Sequence, residues 1–165
     1  MALKRLIDID GTEAVSKVLL TLLNTFPGLD GKSVLFSTLN DTSGIGFFPT
    51  SGAALLSNTE DITGRIKQVC LYPFNIVYRA APKTEAQKLR IKEFLDTFGK
   101  WLERQPVVLG EQTYQMTEYP ELTSGNRVIK SISRTNPAHL NGVYNDGVED
   151  WIISATLRYE NEFNK

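Results

Sequence analysis

A regular alternation of apolar and polar residues in the last part of the chain constrains its fold most strongly. Between residues 151 and 160 the odd positions hold Trp151, Ile153, Ala155, Leu157 and Tyr159. A period of two maintained over about ten residues predicts a long β-strand with one face in the core. A turn at residues 145–147 precedes this strand, and its Asp-Gly pair is typical of a β-hairpin.

A second long extended segment is predicted over residues 65–80. Its even positions carry apolar side chains that share one face: Ile66, Cys70, Tyr72, Phe74, Ile76 and Tyr78. Pro73 lies in the middle, and because proline cannot donate to a strand ladder, we expect a bulge or a sheet edge there. A strand of this length extends roughly 50 Å, whereas a globule of this size is only about 30–40 Å across. The strand must therefore bend at Pro73 or project beyond the globule.

Two amphipathic helices are predicted from apolar positions spaced three and four residues apart. The first begins at Asp10, which would cap it together with Glu13, and it ends before Pro27. The second begins after the capping residue Thr84 and ends before Pro106. The apolar stripe of the first helix consists of Val15, Val18, Leu19, Leu22, Leu23 and Phe26. That of the second consists of Leu89, Ile91, Phe94, Leu95, Phe98, Trp101 and Leu102.

Shorter strands are expected at residues 33–39, 53–56, 112–119 and 127–134. Because the strands come in runs that are separated from the helices, their order favours an α+β fold. The sheet would be largely antiparallel and packed by the two main amphipathic helices. The length of 165 residues predicts a single domain over residues 1–165.

The composition excludes several classes of protein. The formal net charge of −1 argues against a protein that binds nucleic acid by neutralising phosphates. A single cysteine, Cys70, excludes an internal disulfide and a Cys-rich zinc site, and we expect it to be buried as a small apolar residue. Residues 1–8 lack the apolar run of a secretory signal, and the sequence has no apolar stretch of about 18 residues that would span a membrane.

The sequence lacks the usual motifs of catalysis and of cofactor or metal binding. His139 is the only histidine, which excludes a His-rich metal site, and no G-x-S-x-G nucleophile elbow accompanies it. Gly44 and Gly46 do not make a dinucleotide fingerprint, since no third glycine or helix start follows. The acidic pairs at 60–61 and 149–150 are predicted to be solvated turns. We therefore predict no catalytic residue, no cofactor, no metal and no enzymatic activity.

Two segments rich in turn-forming residues, 40–52 and 135–147, are predicted to be irregular. Ile45, Phe47 and Phe48 are costly to leave in water, which makes the first segment a candidate contact loop. The alternative is that both phenylalanines fold back onto the core. The second segment contributes Asn136 and His139, together with the other predicted contact residue of this loop, Tyr144.

The basic residues of the strand at 127–134 form a further candidate surface. Period two places Lys130 and Arg134 on one face and Arg127 on the other. The two residues would contact an acidic protein partner, or else form only a solvated strand face. The complete set of predicted interface residues is Ile45, Phe47, Phe48, Lys130, Arg134, Asn136, His139 and Tyr144.

Three stretches carry a family resemblance. The first is Tyr-Pro-Phe-Asn-Ile-Val-Tyr-Arg at 72–79, leading into the helix with Phe-Leu-Asp at 94–96 and Trp-Leu at 101–102. The second is Ile-Ser-Arg-Thr-Asn-Pro at 132–137 with Leu140, and the third is Asp-Gly-Val-Glu-Asp-Trp at 146–151, which closes on 157–160. Over residues 12–160 the chain resembles the tail-terminator (tail-completion) and minor capsid proteins of long-tailed bacteriophages and phage-tail-like particles.

The resemblance implies a structural assembly protein. Such proteins form a ring, commonly a hexamer, which caps the finished tail tube, stops its growth and offers a surface to the head or its connector. The implied partners are further copies of the chain, the tail tube protein and a head–tail connector or collar protein, with neither a membrane nor sequence-specific nucleic acid. Extended strands or loops would make the ring contacts. The implied location is a virion or a phage-tail-like particle such as a tailocin, assembled in the bacterial host cytoplasm.

Other functional interpretations stay open at this stage. One is a small-molecule or peptide-binding module that uses the sheet and the Phe47–Phe48 loop. Another is an enzyme of unrecognised type, which would depend on His139. The resemblance also leaves open whether the tail is contractile and whether the particle is a virus or headless.

Overall fold

The computed structural model describes residues 6–122 and 126–165, and residues 1–5 of the segment considered for a secretory signal lie outside this part. The helices are α1 (Ile9–Leu23) and α2 (Glu85–Leu102). The strands are β1 (Val34–Phe36), β2 (Gly44–Pro49), β3 (Ala54–Glu60), β4 (Arg65–Ala80), β5 (Val107–Leu109), β6 (Gln112–Tyr114), β7 (Arg127–Arg134), β8 (His139–Val143) and β9 (Glu149–Asn164). A 3-10 turn spans Asn145–Gly147.

The two long strands form the centre of the sheet. β4 and β9 pair antiparallel along their whole length, from Arg65 opposite Asn164 to Ala80 opposite Glu149. β2 and β3 lie beside β4, while β7 and β8 lie beside β9. β1 adds to β2 as a parallel strand, and β5 and β6 make a separate hairpin. The prediction of an α+β fold with a largely antiparallel sheet is confirmed.

Both helices pack on one face of this sheet. The predicted alternation of β9 is confirmed, because Ile153, Ala155, Leu157 and Tyr159 are all buried beneath the helices. Gly99 of α2 lets the helix approach closely, since a Cβ at this position would lie 2.8 Å from the side chain of Ile153. The core is completed by the even positions of β4, Cys70, Tyr72, Phe74 and Ile76.

Cys70 is fully buried, as its sequence context predicts. Burial raises the pKa of its thiol, so the thiolate form that reacts with oxidants and metals is disfavoured. Burial likewise raises the pKa of the neighbouring Tyr159 hydroxyl. These two residues are therefore parts of the core.

A buried ion pair connects the start of α1 to β7 and β9. The carboxylate of Asp8 accepts hydrogen bonds from the Gly11 N–H at 3.0 Å, from Nε and Nη2 of Arg127 at 2.8 Å each, and from the Tyr159 hydroxyl at 2.6 Å. Burial alone would raise the pKa of Asp8, but these hydrogen bonds outweigh it and hold the pKa below its usual value. Asp8 is the N-cap of α1, so the prediction that Asp10 caps the helix is wrong.

The second helix begins as predicted, with the Thr84 hydroxyl accepting the Gln87 N–H at 3.2 Å. Its buried stripe is confirmed from Ile91 onwards, with Phe94 half-buried against the core. Leu89 is 59% exposed, so its assignment to the stripe is wrong. It lies in the second turn of α2, next to a shallow depression shared with Trp151, and the core begins only one half-turn further along.

The two segments predicted to be irregular both contain strands. Residues 44–49 form β2 against β4, and residues 139–143 form β8 against β9. Glycine does not break β2, because at Gly46 it permits close packing: a Cβ there would lie 2.9 Å from the carbonyl oxygen of Thr38. The long central strands supply ladder partners that local sequence cannot reveal. The strand predicted at 112–119 is shorter and ends at Tyr114, whereas β3 extends beyond its predicted end to Glu60.

Pro73 causes no bulge against β9, because the register continues through the pair Pro73–Thr156. On its other side, the pairing with β2 ends at Phe74 and the pairing with β3 begins at Leu71. The proline thus lies opposite a gap between two short strands, where its carbonyl accepts the Thr50 N–H at 3.1 Å. A missing N–H costs nothing at such a gap.

A β-bulge in β7 changes which basic residues share a face. The register shifts between Ile129 and Ser131, so that Lys130 is the extra residue. Because a bulge inverts the alternation beyond it, Arg127 and Arg134 both lie on the helix side, while Lys130 is exposed near Glu160 at 3.8 Å. The prediction that Lys130 and Arg134 share a face, opposite to Arg127, is wrong.

One end of the sheet extends past the core. Residues 56–63, which include the second half of β3 and the turn into β4, are all exposed. The buried core residues of β4 begin only at Val69, so the strand projects beyond the globule, which is one of the two predicted outcomes. Asp61 stabilises the turn, since its carboxylate accepts the N–H groups of Thr63 at 2.8 Å and Arg65 at 3.0 Å.

Candidate assembly surface

A sheet edge presents unpaired N–H and C=O groups, and we call an edge capped where other groups of the chain hydrogen-bond to it. The edge of β1 is capped at Val34: the side-chain amide of Asn24 accepts its N–H at 2.8 Å and donates to its carbonyl at 3.1 Å. Natural proteins limit unwanted strand pairing with such devices. The cap therefore hinders a further strand from pairing with β1 at Val34.

The edge of β7 is capped by two side chains. The Tyr119 hydroxyl accepts the Ile132 N–H at 3.2 Å while donating to the Leu102 carbonyl at 2.8 Å. The carboxylate of Glu103 accepts the Arg134 N–H at 3.0 Å and its guanidinium Nε at 2.9 Å. Arg134 is thus engaged within its own chain, and its predicted role in contacting an acidic partner stays a prediction.

The edge of β3 is capped only in its first half. The Leu55 N–H donates to the Leu6 carbonyl at 2.9 Å, and the Asp8 N–H donates to the Ala53 carbonyl at 2.8 Å. From Leu56 to Glu60, nothing in residues 6–122 and 126–165 hydrogen-bonds to the side that faces away from β4. We call this five-residue segment the open β3 edge.

The edge of β8 is open along its full length. Throughout the part of the chain that the structure describes, no group caps the side of His139–Val143 that faces away from β9. The imidazole of His139 hydrogen-bonds to the nearby Pro137 carbonyl, at 3.0 Å from Nδ1. We call His139–Val143 the open β8 edge.

Both open edges carry exposed apolar side chains. Leu56 is 61% exposed on the open β3 edge, and Ile62 is fully exposed in the turn that follows it. On the open β8 edge Val143 is 64% exposed, and Leu140 is also exposed. Apolar groups gathered on edges without capping are typical of interaction sites. The two edges lie at opposite sides and opposite ends of the sheet.

A charged cluster holds the end of the open β8 edge in place. Asp150 is buried and accepts hydrogen bonds from Nε of Arg79 at 2.7 Å, from Nη2 of Arg79 at 2.9 Å and from the Tyr144 hydroxyl at 3.0 Å. The Arg79 guanidinium also stacks over the Tyr144 ring at 5.3 Å. The Arg79 hydrogen bonds hold the pKa of Asp150 below its usual value. Tyr144 is therefore oriented, although its ring remains exposed.

The acidic pair at 149–150 differs from its prediction as a solvated turn. Glu149 is as buried as Asp150, and it accepts from Nε1 of Trp151 at 3.1 Å and pairs with Lys88 at 3.2 Å. Both carboxylates have partners, and both residues belong to β9, which begins at Glu149, and not to the turn before it. The chain reversal lies just before, where Asp146 has φ of 63° and Gly147 has φ of 74°, as hairpin turns require.

The candidate contact loop at 40–52 does not exist in its predicted form. Ile45 is 1% exposed and Phe47 is 0% exposed, so their assignment as interface residues is wrong. Alternation in β2 points both side chains toward the helices, and Phe47 packs edge-on against Phe74 at 5.5 Å between ring centroids. Phe48, on the opposite face, is half-buried.

Four predicted interface residues remain at the surface. Lys130, Asn136, His139 and Tyr144 are exposed, and the last two lie on or beside the open β8 edge. Their role in an interface stays a prediction. The exposed apolar residues of the open edges were not among the predicted residues: Leu56, Ile62, Leu140 and Val143. For Ile62 a signal exists in the sequence, since an apolar side chain between Asp61 and Thr63 in a turn has no core to reach.

Within the described ranges, no group of three or more His, Cys, Asp or Glu side chains is arranged to hold a metal ion. In the same part of the chain, none of the helices has both the length and the hydropathy that crossing a membrane requires.

Comparison with known proteins gives a match at the level of the fold. No protein-family model matches the chain, and no curated protein matches it. A chain in the solved structure described as the virion of a native gene transfer agent (GTA) particle is similar to it, with a TM-score of 0.52 and 11% sequence identity. The alignment covers 93% of this chain and 100% of that chain. At this identity the likeness shows a shared fold.

Proposed function

We propose that this protein is a structural component of a phage-like particle. In this function copies of the chain form a ring, with six subunits, that caps the end of a tail tube, stops its growth and offers a surface to the head or connector. The observation that carries the proposal is the pair of apolar edge segments, Leu56–Glu60 and His139–Val143, that have no capping group among the described residues, whereas β1 is capped at Val34 and β7 along its second half. The fold shared with a gene transfer agent virion chain supports it, as does the family resemblance of the sequence.

The arrangement of the open edges suits a ring. The open β3 edge and the open β8 edge are different surfaces of the same chain, at opposite ends of the sheet. A contact between two different surfaces repeats head to tail, and it closes into a ring when the rotation between copies allows. A single contact surface would instead produce a closed dimer.

The proposal is tested by measuring assembly with and without a tail tube. The purified chain is examined by size-exclusion chromatography with light scattering and by negative-stain microscopy, alone and with polymerising tail tube protein. We expect rings, alone or at tube ends, and tubes that stop growing. A chain that stays monomeric at all concentrations and neither binds nor arrests tubes would overturn the proposal.

A matched pair of variants separates assembly from folding. Val143→Asp places a charge on the open β8 edge, and Val108→Asp places one on β5, where Val108 is 69% exposed. Because burying an unpaired charge is costly, the first variant should lose rings and tube arrest. The second should assemble like the unmodified chain. Equal behaviour of the two variants would contradict the assignment of the edge.

The two other interpretations receive less support. A small-molecule or peptide-binding module was expected to use the Phe47–Phe48 loop, but Phe47 is fully buried in the core. The prediction that the protein is not an enzyme stays a prediction. His139→Ala provides its test: an enzyme that depends on this imidazole should lose its activity, whereas the chain should stay folded, because the ring is exposed and hydrogen-bonds to the nearby Pro137 carbonyl.

A further inference from the structure

An Asn-Gly dipeptide, Asn141 and Gly142, lies in the open β8 edge. Such a dipeptide is a strong signal of a hairpin turn, yet the chain reverses further on, at Asn145–Gly147. We propose that Asn141 is a site of spontaneous deamidation in the unassembled chain, by which the uncharged open β8 edge gains a carboxylate. The chemical step goes beyond the proposed function, whereas its effect on assembly rests on that function.

The reaction needs water and no other reagent. The Gly142 nitrogen attacks Cγ of Asn141, so that a bond between these two atoms forms while the bond from Cγ to Nδ2 breaks. The amide NH2 group and the proton of the Gly142 N–H leave together as ammonia. Water then opens the cyclic imide at either carbonyl and gives aspartate or isoaspartate. Glycine favours the attack because no Cβ shields its nitrogen.

A β-bulge disrupts the strand pairing at this dipeptide. The register against β9 passes from Leu140 opposite Trp151 to Gly142 opposite Asp150, so that Asn141 is the extra residue. The extra residue of a bulge has no partner in the ladder. Among the described strands, β8 pairs with β9 alone. A local opening that frees the Gly142 nitrogen therefore breaks hydrogen bonds to one strand only.

The side chain of Asn141 is available for the reaction. It is exposed, and its amide has no hydrogen-bond partner within the part of the chain that the structure describes. The side-chain amides of Asn75 and Asn161, by contrast, are bound to Ser154 at 2.7 Å and to Gln68 at 3.2 Å. Asn141 is also the only asparagine in the sequence that a glycine follows. Spontaneous deamidation is therefore expected first at this position.

The products change the open β8 edge in two ways. Residues 139–143 contain no Asp, Glu, Lys or Arg, whereas the new carboxylate is ionised at neutral pH. A charge on an edge strand opposes pairing with a further strand. In isoaspartate the main chain is also longer by a methylene group, which moves the N–H and C=O groups of the edge out of the spacing of a regular strand. Copies that stay unassembled would thus lose this contact surface with time.

Peptide mapping by mass spectrometry tests the chemical step on the purified, folded chain. The chain is incubated at mildly alkaline pH, and fragment ions locate each asparagine at which OH has replaced NH2. We expect this mass increase to appear at Asn141 about tenfold faster than at Asn58, which is likewise exposed but precedes threonine. A rate at Asn141 no greater than that at Asn58 would overturn the proposal.

Two variants identify the atoms that react. Gly142→Ala places a Cβ beside the attacking nitrogen and should slow the mass increase at Asn141 about tenfold. Because this Cβ would lie 3.1 Å from the Tyr144 hydroxyl, thermal unfolding of the variant is measured as well. Asn141→Gln keeps the amide but lengthens the side chain, which disfavours ring closure, and it should show no mass increase at this position. An unchanged rate in both variants would contradict attack by the Gly142 nitrogen.

Light scattering against concentration measures the effect on assembly. Asn141→Asp reproduces the aspartate product and should weaken association about tenfold, whereas Asn141→Gln should associate like the unmodified chain. Thr113→Asp is the matched control, because it adds the same charge at an exposed position of β6 and should leave association unchanged. Equal association of Asn141→Asp and the unmodified chain would overturn the proposed effect on assembly.

The outcomes separate this inference from the proposed function. Deamidation is detected by mass on the free chain, so it can be established for a chain that never assembles. Monomers in every condition, with and without tail tubes, would overturn the proposed function while deamidation at Asn141 still supported the modification site. A chain that forms rings but keeps Asn141 intact during incubation as a monomer would overturn this inference and leave the proposed function standing.

Discussion

The two strands that pair with β9 on the side away from β4, namely β7 and β8, differ at their outer edges. β7 is capped along its second half by the side chains of Tyr119 and Glu103. β8 follows directly in the chain, yet its outer edge carries Leu140 and Val143 and lacks any such partner among the described residues. An edge that is neither capped nor polar favours further strand pairing. On this side of the sheet, the second half of β7 is therefore closed to another strand, whereas β8 is suited to association.

The difference arises from what lies next to each strand. Glu103 is the C-cap residue of α2, and Tyr119 belongs to the segment after β6, so both come from parts of the chain that pack beside β7. β8 instead lies at the far end of β9, where the neighbouring cluster of Arg79, Tyr144 and Asp150 holds the turn but leaves the edge free. Capping is thus a tertiary property of each edge.

The largest effect on stability is expected where β7 begins. Asp8→Ala removes a carboxylate partner of Arg127 and the N-cap of α1. Because the pair is largely but not fully buried, we expect a loss of about 3 kcal/mol, at the lower end of the cost of breaking a buried pair. Asp8→Asn, which keeps an acceptor for the Gly11 N–H, should cost about 1 kcal/mol less. Urea denaturation measures both. A loss below about 1 kcal/mol for Asp8→Ala would show that β7 does not depend on this anchor.

Two aspartates that are paired with arginines, Asp8 and Asp150, make the free energy of unfolding depend on pH. The pKa values of Asp8 and Asp150 lie below the usual 3.8 in the folded chain. Their stabilising effect is therefore present above that value and is lost as the pH falls through and below it. We expect the free energy of unfolding to fall as the pH drops below about 4, and Asp8→Asn should show a shallower decline. An unchanged pH profile in that variant would contradict the assignment.

The second largest loss of stability is expected at the capped edge of β7. Glu103→Ala leaves the Arg134 N–H without its acceptor and leaves the half-buried guanidinium with the weaker bond to the Asp96 carbonyl at 3.5 Å, so we expect a loss of about 2 kcal/mol. Glu103→Gln keeps one acceptor and should lose less. Both are measured by urea denaturation, and assembly should survive in conditions where the variants stay folded. A variant as stable as the unmodified chain would mean that capping this edge contributes nothing.

A smaller effect is expected at the other capping residue of β7. Tyr119→Phe removes the hydroxyl that bridges the Ile132 N–H and the Leu102 carbonyl, and should cost about 1 kcal/mol. Tyr114→Phe is the matched control, because the Tyr114 hydroxyl bonds to the exposed side chain of Gln112 and its loss should lie within about 0.5 kcal/mol. Thermal unfolding measures the loss of stability in each variant. Equal losses would contradict the capping role of the Tyr119 hydroxyl.

The smallest effect on stability is expected on the open edge. Val143→Ser should change the free energy of unfolding by less than about 0.5 kcal/mol, since the side chain is mostly exposed. It should nevertheless weaken association about tenfold, because a buried valine at an interface is worth roughly 1.5 kcal/mol. Val108→Ser on β5 should change neither quantity. If Val143→Ser unfolds the chain instead, the edge belongs to the core, and the comparison with β7 fails.

Much of the architecture could be predicted from local patterns. The bounds of Arg65–Ala80 and Arg127–Arg134 agree with the predicted strands. The core face of β9 agrees from Ile153 to Tyr159, whereas Trp151 is half-buried and Ile152, on the other face, is buried as well. Alternation over many residues predicts a strand well because successive side chains point to opposite faces, one toward the core and the other toward solvent. The candidate site was predicted less well, since Ile45 and Phe47 proved to be core residues and Arg134 proved to be bound by Glu103.

By itself, the sequence determined the two long strands, the two amphipathic helices and their buried faces, because those features depend on residues close together in the chain. Only the tertiary structure decided that glycine-rich segments become β2 and β8, that a bulge at Lys130 moves Arg134 inward, and which edges are capped. Each of these depends on partners far apart in sequence: β4 for β2, β9 for β7 and β8, and Asn24, Glu103 or Tyr119 for an edge. The type of a side chain does not predict which distant backbone groups lie within hydrogen-bonding distance of it in the folded chain.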